Sequence, residues 1–84
     1  MIRVFGSNTC GKCHAIVNGL RLLQKPFEYI DAMAEDTQDF CDKHNIGPLP
    51  HIQIYDEQGN VLWEKAQIVT LTDIVQADKT NVQG

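Results

Sequence analysis

Cysteine is scarce in this chain, with three among 84 residues. A disulfide scaffold of this size would carry four, six or eight, so bridges are not what holds the fold. Basic residues are also in deficit. Seven Lys and Arg stand against eleven Asp and Glu, a formal net charge of −4, which argues against nucleic acid as a partner because a polyanion selects a basic face. No apolar run approaches the roughly 18 residues that cross a bilayer, so no membrane partner is expected. Met1 leads straight into Ile2-Arg3-Val4-Phe5, without the charged-then-apolar pattern of a secretory signal. These absences point to a cytoplasmic protein, in the host cytoplasm if the chain is viral. Repeats, low-complexity tracts and linkers are missing too. Residues 1–84 therefore read as one domain, expected to act as a monomer.

What is present is an ordinary globular balance, 43% hydrophobic and 21% charged. A domain this short buries only about 60–65% of its unfolded surface, so its core is small. Ile2 to Phe5 is a β-branched, apolar run that stops at Gly6-Ser7-Asn8, as a strand stops at a turn. The period then changes. Cys13, Ile16, Val17, Leu20 and Leu23 recur at three- and four-residue steps, one stripe of an amphipathic helix, with Pro26 just beyond its end. Phe27 to Ile30 alternates as a strand and ends at Asp31, and a polar, acidic helix is expected from Glu35 to His44 with Phe40 and Cys41 inward. Gly47-Pro48-Leu49-Pro50 breaks the chain. His51 to Tyr55 alternates again, with Ile52 and Ile54 on one face, and Asp56 to Asn60 is turn chemistry leading back into Val61-Leu62-Trp63 as a hairpin partner. Thr70-Leu71-Thr72-Asp73 reads as a capping box that opens a last helix with Leu71, Ile74 and Val75 inward. The order is β-α-β-α-β-β-α. It predicts an α/β fold with a four-stranded mixed sheet: a parallel strand pair with a right-handed crossover, then an antiparallel hairpin.

Cys10-Gly11-Lys12-Cys13 carries the chemistry. In a redox reading Cys10 sits at the start of the first helix, where unpaired N–H groups and the helix dipole favour a thiolate. Lys12 adds a positive charge in the same direction. Cys13, one turn on, is placed to attack a mixed disulfide on Cys10. Three other readings compete. Cys13-His14 completes C-x-x-C-H, a haem attachment signature, but Met1 and Met33 are poorly placed as a sixth ligand and the two late strands do not suit an all-helical haem protein. Cys10 and Cys13 with Cys41 and His44 could make a zinc set. The gap between those pairs is long for a compact finger, Cys41 beside Phe40 reads as an inert core thiol, and His44 reads as a surface cation favourable at a helix C-terminus. A purely structural pair is the fourth. The redox reading is the strongest, because the pair lies between a first strand and a first helix and a Pro precedes a third strand.

The chain resembles glutaredoxins in Ile2-Arg3-Val4-Phe5, in Cys10-Gly11-Lys12-Cys13 and in the run from Arg21 to Asp31. The stretch from Asn45 to Tyr55 is similar to the region around the cis-proline of thioredoxin-fold proteins generally. The likeness spans nearly the whole chain, and the size matches small glutaredoxins, those of phages included. It implies a thioredoxin-like fold and a dithiol–disulfide oxidoreductase with Cys10 and Cys13 catalytic. Pro50 would be the cis-proline facing the pair, and the Leu49 backbone would bind an extended thiol substrate. The resemblance implies no bound cofactor and no metal, with glutathione as electron donor or a thioredoxin reductase in its place. Protein disulfides, ribonucleotide reductase among them, would be the substrates. The chain departs from the family pattern in several places. Gly11-Lys12 stands where many glutaredoxins have Pro-Tyr, and Thr9 where thioredoxins have Trp. Ser7 replaces a Lys that meets the glutathione carboxylate, a charge Lys12 is expected to supply. A Gly-Gly pair before the last helix is absent, leaving Thr70 and Asp73 for the γ-glutamyl end.

Overall fold

A computed structural model describes residues 1–81. β1 (Ile2–Gly6) leads into α1 (Gly11–Leu22), then β2 (Phe27–Asp31), a 3-10 turn (Glu35–Thr37), α2 (Gln38–Lys43), β3 (His51–Tyr55), β4 (Val61–Ala66) and α3 (Leu71–Asn81). One sheet forms in the order β2-β1-β3-β4. β1 and β2 are parallel, from Ile2 opposite Phe27 to Gly6 opposite Asp31. β1 and β3 are antiparallel, Phe5 facing His51, and β4 closes the hairpin on β3 with Ala66 opposite His51. The expected order of elements and the mixed sheet are both present.

Strand alternation sorts the two faces of the sheet. Ile2, Val4, Ile52 and Ile54 meet Ile16, Val17 and Leu20 of α1 and Ile74 and Ala77 of α3 in one apolar cluster. The opposite face is more polar and carries Arg3, Phe5, His51 and Gln53, all buried. Phe40 of α2 stacks on Phe5 there, with ring centroids 6.0 Å apart. α1 and α3 approach closely: a Cβ at Gly19 would lie 2.5 Å from Leu71 Cδ2, so a larger residue there would make the Leu71 side chain shift. Lys25 Nζ pairs with Asp78 Oδ2 at 2.9 Å and ties the end of α1 to α3.

Three details differ from the sequence expectation. Leu23 leaves the buried stripe and is 51% exposed. The reason is the helix end: Gln24 takes φ 56, the Lys25 N–H reaches Leu20 O and the Gln24 N–H reaches Arg21 O. That is a Schellman closure, which turns the chain before Leu23 can point inward. The segment from Glu35 to His44 is not one helix but a 3-10 turn followed by six α-helical residues. β4 runs to Ala66 rather than stopping at Trp63, because every residue of β3 finds a partner across it.

Candidate redox site

The site is built where β1 hands over to α1. The turn closes through Cys10 N–H to Ser7 O, 3.2 Å, and Cys10 caps the helix, its Sγ accepting the Cys13 N–H at 3.2 Å. Cys10 and Cys13 are joined as a disulfide with Cα atoms 5.2 Å apart, inside the ordinary range for such a bridge. The two sulfurs are not equivalent. Cys10 is half-buried, whereas Cys13 is 1% exposed on the inner stripe of α1. A solvent-facing disulfide partner can reach the first and not the second.

Gly6 was legible in the sequence only as a turn signal, yet it fits the pair to the sheet. A Cβ there would sit 2.9 Å from Cys13 Cβ and 3.1 Å from its Sγ. Pro50 follows a cis peptide bond and is buried. Phe5 faces His51 at the end of the antiparallel ladder, and Pro50 lies one residue beyond it. Pro50 O accepts the Gln67 N–H at 2.8 Å, which binds the loop before β3 to the loop after β4. Leu49 lies half-buried on the first of these loops.

Lys12, in the first turn of α1, is exposed and borders a cavity of about 340 Å³. Ile16, Ile68, Val69, Thr70 and Leu71 also line it, so the walls are mainly apolar with one cation at the edge. Ile68 is 77% exposed there. At the other end Thr70 and Asp73 form the expected capping box: Asp73 N–H donates to Thr70 Oγ1 and Thr70 N–H to Asp73 Oδ2, each 3.1 Å. Lys65 Nζ reaches the same Asp73 oxygen at 3.2 Å. The Thr70 backbone bond and then Lys65 hold the Asp73 carboxyl below the usual aspartate range. Asp73 is thus a charged, already engaged carboxylate, and an ammonium group arriving there would share it with Lys65.

The rival ligand sets are not assembled. Among the described residues no three His, Cys, Asp or Glu side chains converge as a metal site would require. Cys41 is buried at 7% exposure, as a core thiol. His44 does not behave as the expected surface cation. Its ring lies tilted against Phe40, centroids 4.4 Å apart, and burial, followed by the Arg3 and Lys43 charges, pushes its pKa down. His14, the would-be haem ligand, has its Nε2 2.9 Å from Asn8 O, while Met1 and Met33 are 52% and 72% exposed.

Sequence reasoning missed a polar cluster beneath the loop before β3. Arg3 NH1 donates to Gln53 Oε1 and Gln53 Nε2 to Glu64 Oε2, both 2.9 Å, and His51 Nε2 lies 2.6 Å from the same Glu64 oxygen. The Arg3 guanidinium lies 4.0 Å from the Tyr55 ring centroid and 5.0 Å from that of Phe40. The signal was in the alternation: Arg3, His51 and Gln53 are the polar residues of two central strands, and residues in such strands are buried on both faces.

No protein-family model and no curated protein sequence matches the chain. Solved structures do. The chain is similar to thioredoxin 1 from Thermosipho africanus, at TM-score 0.78 and 14% identity, over 94% of this chain and 90% of that one. It is similar to reduced Schistosoma mansoni thioredoxin pre-protein, at 0.80 and 17% identity, over 96% and 77%. A third similarity, 0.79 and 17% identity over 94% and 74%, is to a chain in a complex of ferredoxin:thioredoxin reductase with thioredoxin f2. At such identities the likeness is one of fold. The chain has the thioredoxin fold.

Proposed function

We propose that this chain is a glutaredoxin-like dithiol–disulfide oxidoreductase in which Cys10 attacks and Cys13 resolves. One observation carries the reading: a disulfide closes at the N-cap of α1 between a solvent-reachable and a buried cysteine. The helix start supplies the Cys13 N–H to the Cys10 sulfur, which with the helix dipole favours the thiolate. In the reduced protein the Cys10 thiolate attacks a disulfide R–S–S–R′, forming a Cys10–S–S–R bond and expelling R′S⁻, which takes up a proton. Cys13 then loses its proton, and its sulfur attacks Cys10 Sγ and expels RS⁻. Two electrons and two protons pass to the substrate, and the Cys10–Cys13 bridge remains. No bound cofactor or metal enters either step.

Pro50 and the Leu49 backbone offer the edge along which an extended substrate would pair, and Lys12 supplies the cation for a glutathione carboxylate. Thr70 would face the γ-glutamyl end, with Asp73 for its ammonium. Protein disulfides, including ribonucleotide reductase by family analogy, are the substrates this reading assigns. A second donor is a thioredoxin reductase, favoured by the largely apolar cavity beside Lys12 and by the thioredoxin neighbours, one of which is described in complex with a reductase.

Reduction of a disulfide substrate with each reductant system supplied separately is the test. Glutathione-linked turnover is expected, weaker than in a relative carrying the Lys and Gly-Gly pattern. Full activity with thioredoxin reductase and none with glutathione would replace the donor and leave the cysteine roles standing. Inactivity with both would remove the oxidoreductase reading.

A further inference from the structure

His51 is the residue directly after Pro50, and it is 5% exposed. Both of its ring nitrogens have partners. Nε2 lies 2.6 Å from Glu64 Oε2, and Nδ1 accepts the Gly47 N–H at 3.4 Å. A carboxylate only accepts hydrogen bonds, so Glu64 requires a proton on Nε2. In the neutral ring that choice leaves a lone pair on Nδ1, which is what the Gly47 N–H needs. Glu64 is well suited to hold the tautomer. The Gln53 amide first, with His51 adding to it, keeps its carboxyl below the usual glutamate range. The chain of contacts thus runs from β4, through a side chain at the start of β3, to the first residue of the Gly47–Pro50 loop. Phe5 packs edge-on against the imidazole, centroids 5.7 Å apart, and limits the ring's freedom from the β1 side.

Gly47 itself is exposed, and a Cβ there would meet nothing within 4 Å. Packing therefore does not hold the head of this loop. Its far end is held by the bond from Gln67 N–H to Pro50 O. Between those two anchors lies Leu49.

We propose that His51, oriented by Glu64, is a positioning residue that fixes the Gly47–Leu49 backbone for pairing with the disulfide substrate. The inference rests on the oxidoreductase reading above, and it assigns His51 no contact with the reacting sulfurs. Its effect is therefore on substrate capture and not on thiol chemistry.

Two substitutions separate the two nitrogens. His51→Gln keeps a donor near the Nε2 position for Glu64 and removes the acceptor for Gly47. His51→Asn keeps an acceptor near the Nδ1 position and gives up Glu64. Losing one hydrogen bond in this size class predicts a rise in KM for a disulfide substrate of roughly two- to tenfold in His51→Gln. Its kcat and the iodoacetamide alkylation rate of Cys10, which needs no docking, should stay at the wild-type values. The Gly47 amide should exchange with deuterium faster in the same variant. His51→Asn should restore slow Gly47 exchange and most of the KM. Glu64→Ala, at a partly exposed position on β4, releases the tautomer without altering the buried ring; it should raise KM and Gly47 exchange in the same direction, and it decides the matter if His51→Gln fails to fold. Unchanged Gly47 exchange in folded His51→Gln or Glu64→Ala, or a fall in kcat with KM constant in either, overturns the proposal. Wild-type protein that reduces no disulfide would overturn the oxidoreductase reading instead, while Gly47 exchange would still report on the His51 contact.

Discussion

Exposure separates two chemically identical cysteines three positions apart in the chain, and the proposed division of labour between them rests on it. Cys10 is half-buried at the helix cap, and Cys13 is 1% exposed beneath it. After reduction, site-resolved alkylation should label Cys10 first, with Cys13 and Cys41 far slower; Cys13 reacting first would reverse the assigned roles. Cys10→Ser should abolish turnover, whereas Cys13→Ser should accumulate a mixed disulfide on Cys10 visible by mass spectrometry. Lys12 is exposed, so the bond to a glutathione carboxylate proposed for it would be screened well below the roughly 1.5–3 kcal/mol of a charged pair. Lys12→Ala should accordingly raise KM for glutathione only about two- to fivefold and change a protein reductant less. Equal effects on both reductants would detach Lys12 from glutathione recognition.

At the scale of the element, the informative case is the start of α3. Its capping box satisfies two N–H groups reciprocally, Asp73 to Thr70 and Thr70 to Asp73. Thr70→Ala should cost about 0.5–2 kcal/mol of unfolding free energy in urea melts. The carboxylate half depends on pH. Asp73 is lowered in the folded protein from its ordinary 3.8, chiefly by the Thr70 backbone bond. A depressed carboxyl contributes stability that is complete above the unfolded value and is lost as pH falls from 3.8 through the lower folded value. Asp56 and Glu64 are lowered in the same sense, Asp56 mainly by the Asn60 backbone N–H and Glu64 mainly by Gln53. Stability should therefore decline on the acid side of about pH 4, and Asp73→Asn should flatten that decline in part. An unaltered acid limb in Asp73→Asn would show that the box does not form in solution.

For the molecule as a whole, the core is small enough that single positions decide stability. An 84-residue domain has on the order of 4–12 kcal/mol to lose. Ile52, fully buried at the middle of the sheet, should cost about 2–5 kcal/mol when cut to Ala. Leu23→Ala should shift the same urea midpoint little, because Leu23 is 51% exposed. Comparable losses at both positions would mean that the Schellman end of α1 is not the one described. Gly6→Ala brings the core and the site together. The added Cβ meets Cys13 at 2.9 Å, so both the melting temperature and the rate of disulfide exchange should fall.

The order of elements, the central strands, the cap of α3 and the paired cysteines were all legible from the chain itself, because each rests on local periodicity or on spacing within one turn of helix. Leu23 and His44 were misread for the opposite reason. Their surroundings depend on where a helix stops and on what packs across the sheet: the turn at Gln24 for the first, the Phe40 ring and the Arg3 charge for the second. The same limit hid the need for Gly at position 6, which comes from Cys13 of the following helix folding back over the strand. It hid the Glu64–His51–Gly47 contacts as well, since they join residues on separate elements. Sequence determined which residues could do thiol chemistry. Tertiary structure alone decided which thiol meets solvent and which side chains reach the loop before β3, because exposure and cross-strand contact exist only once the sheet has closed.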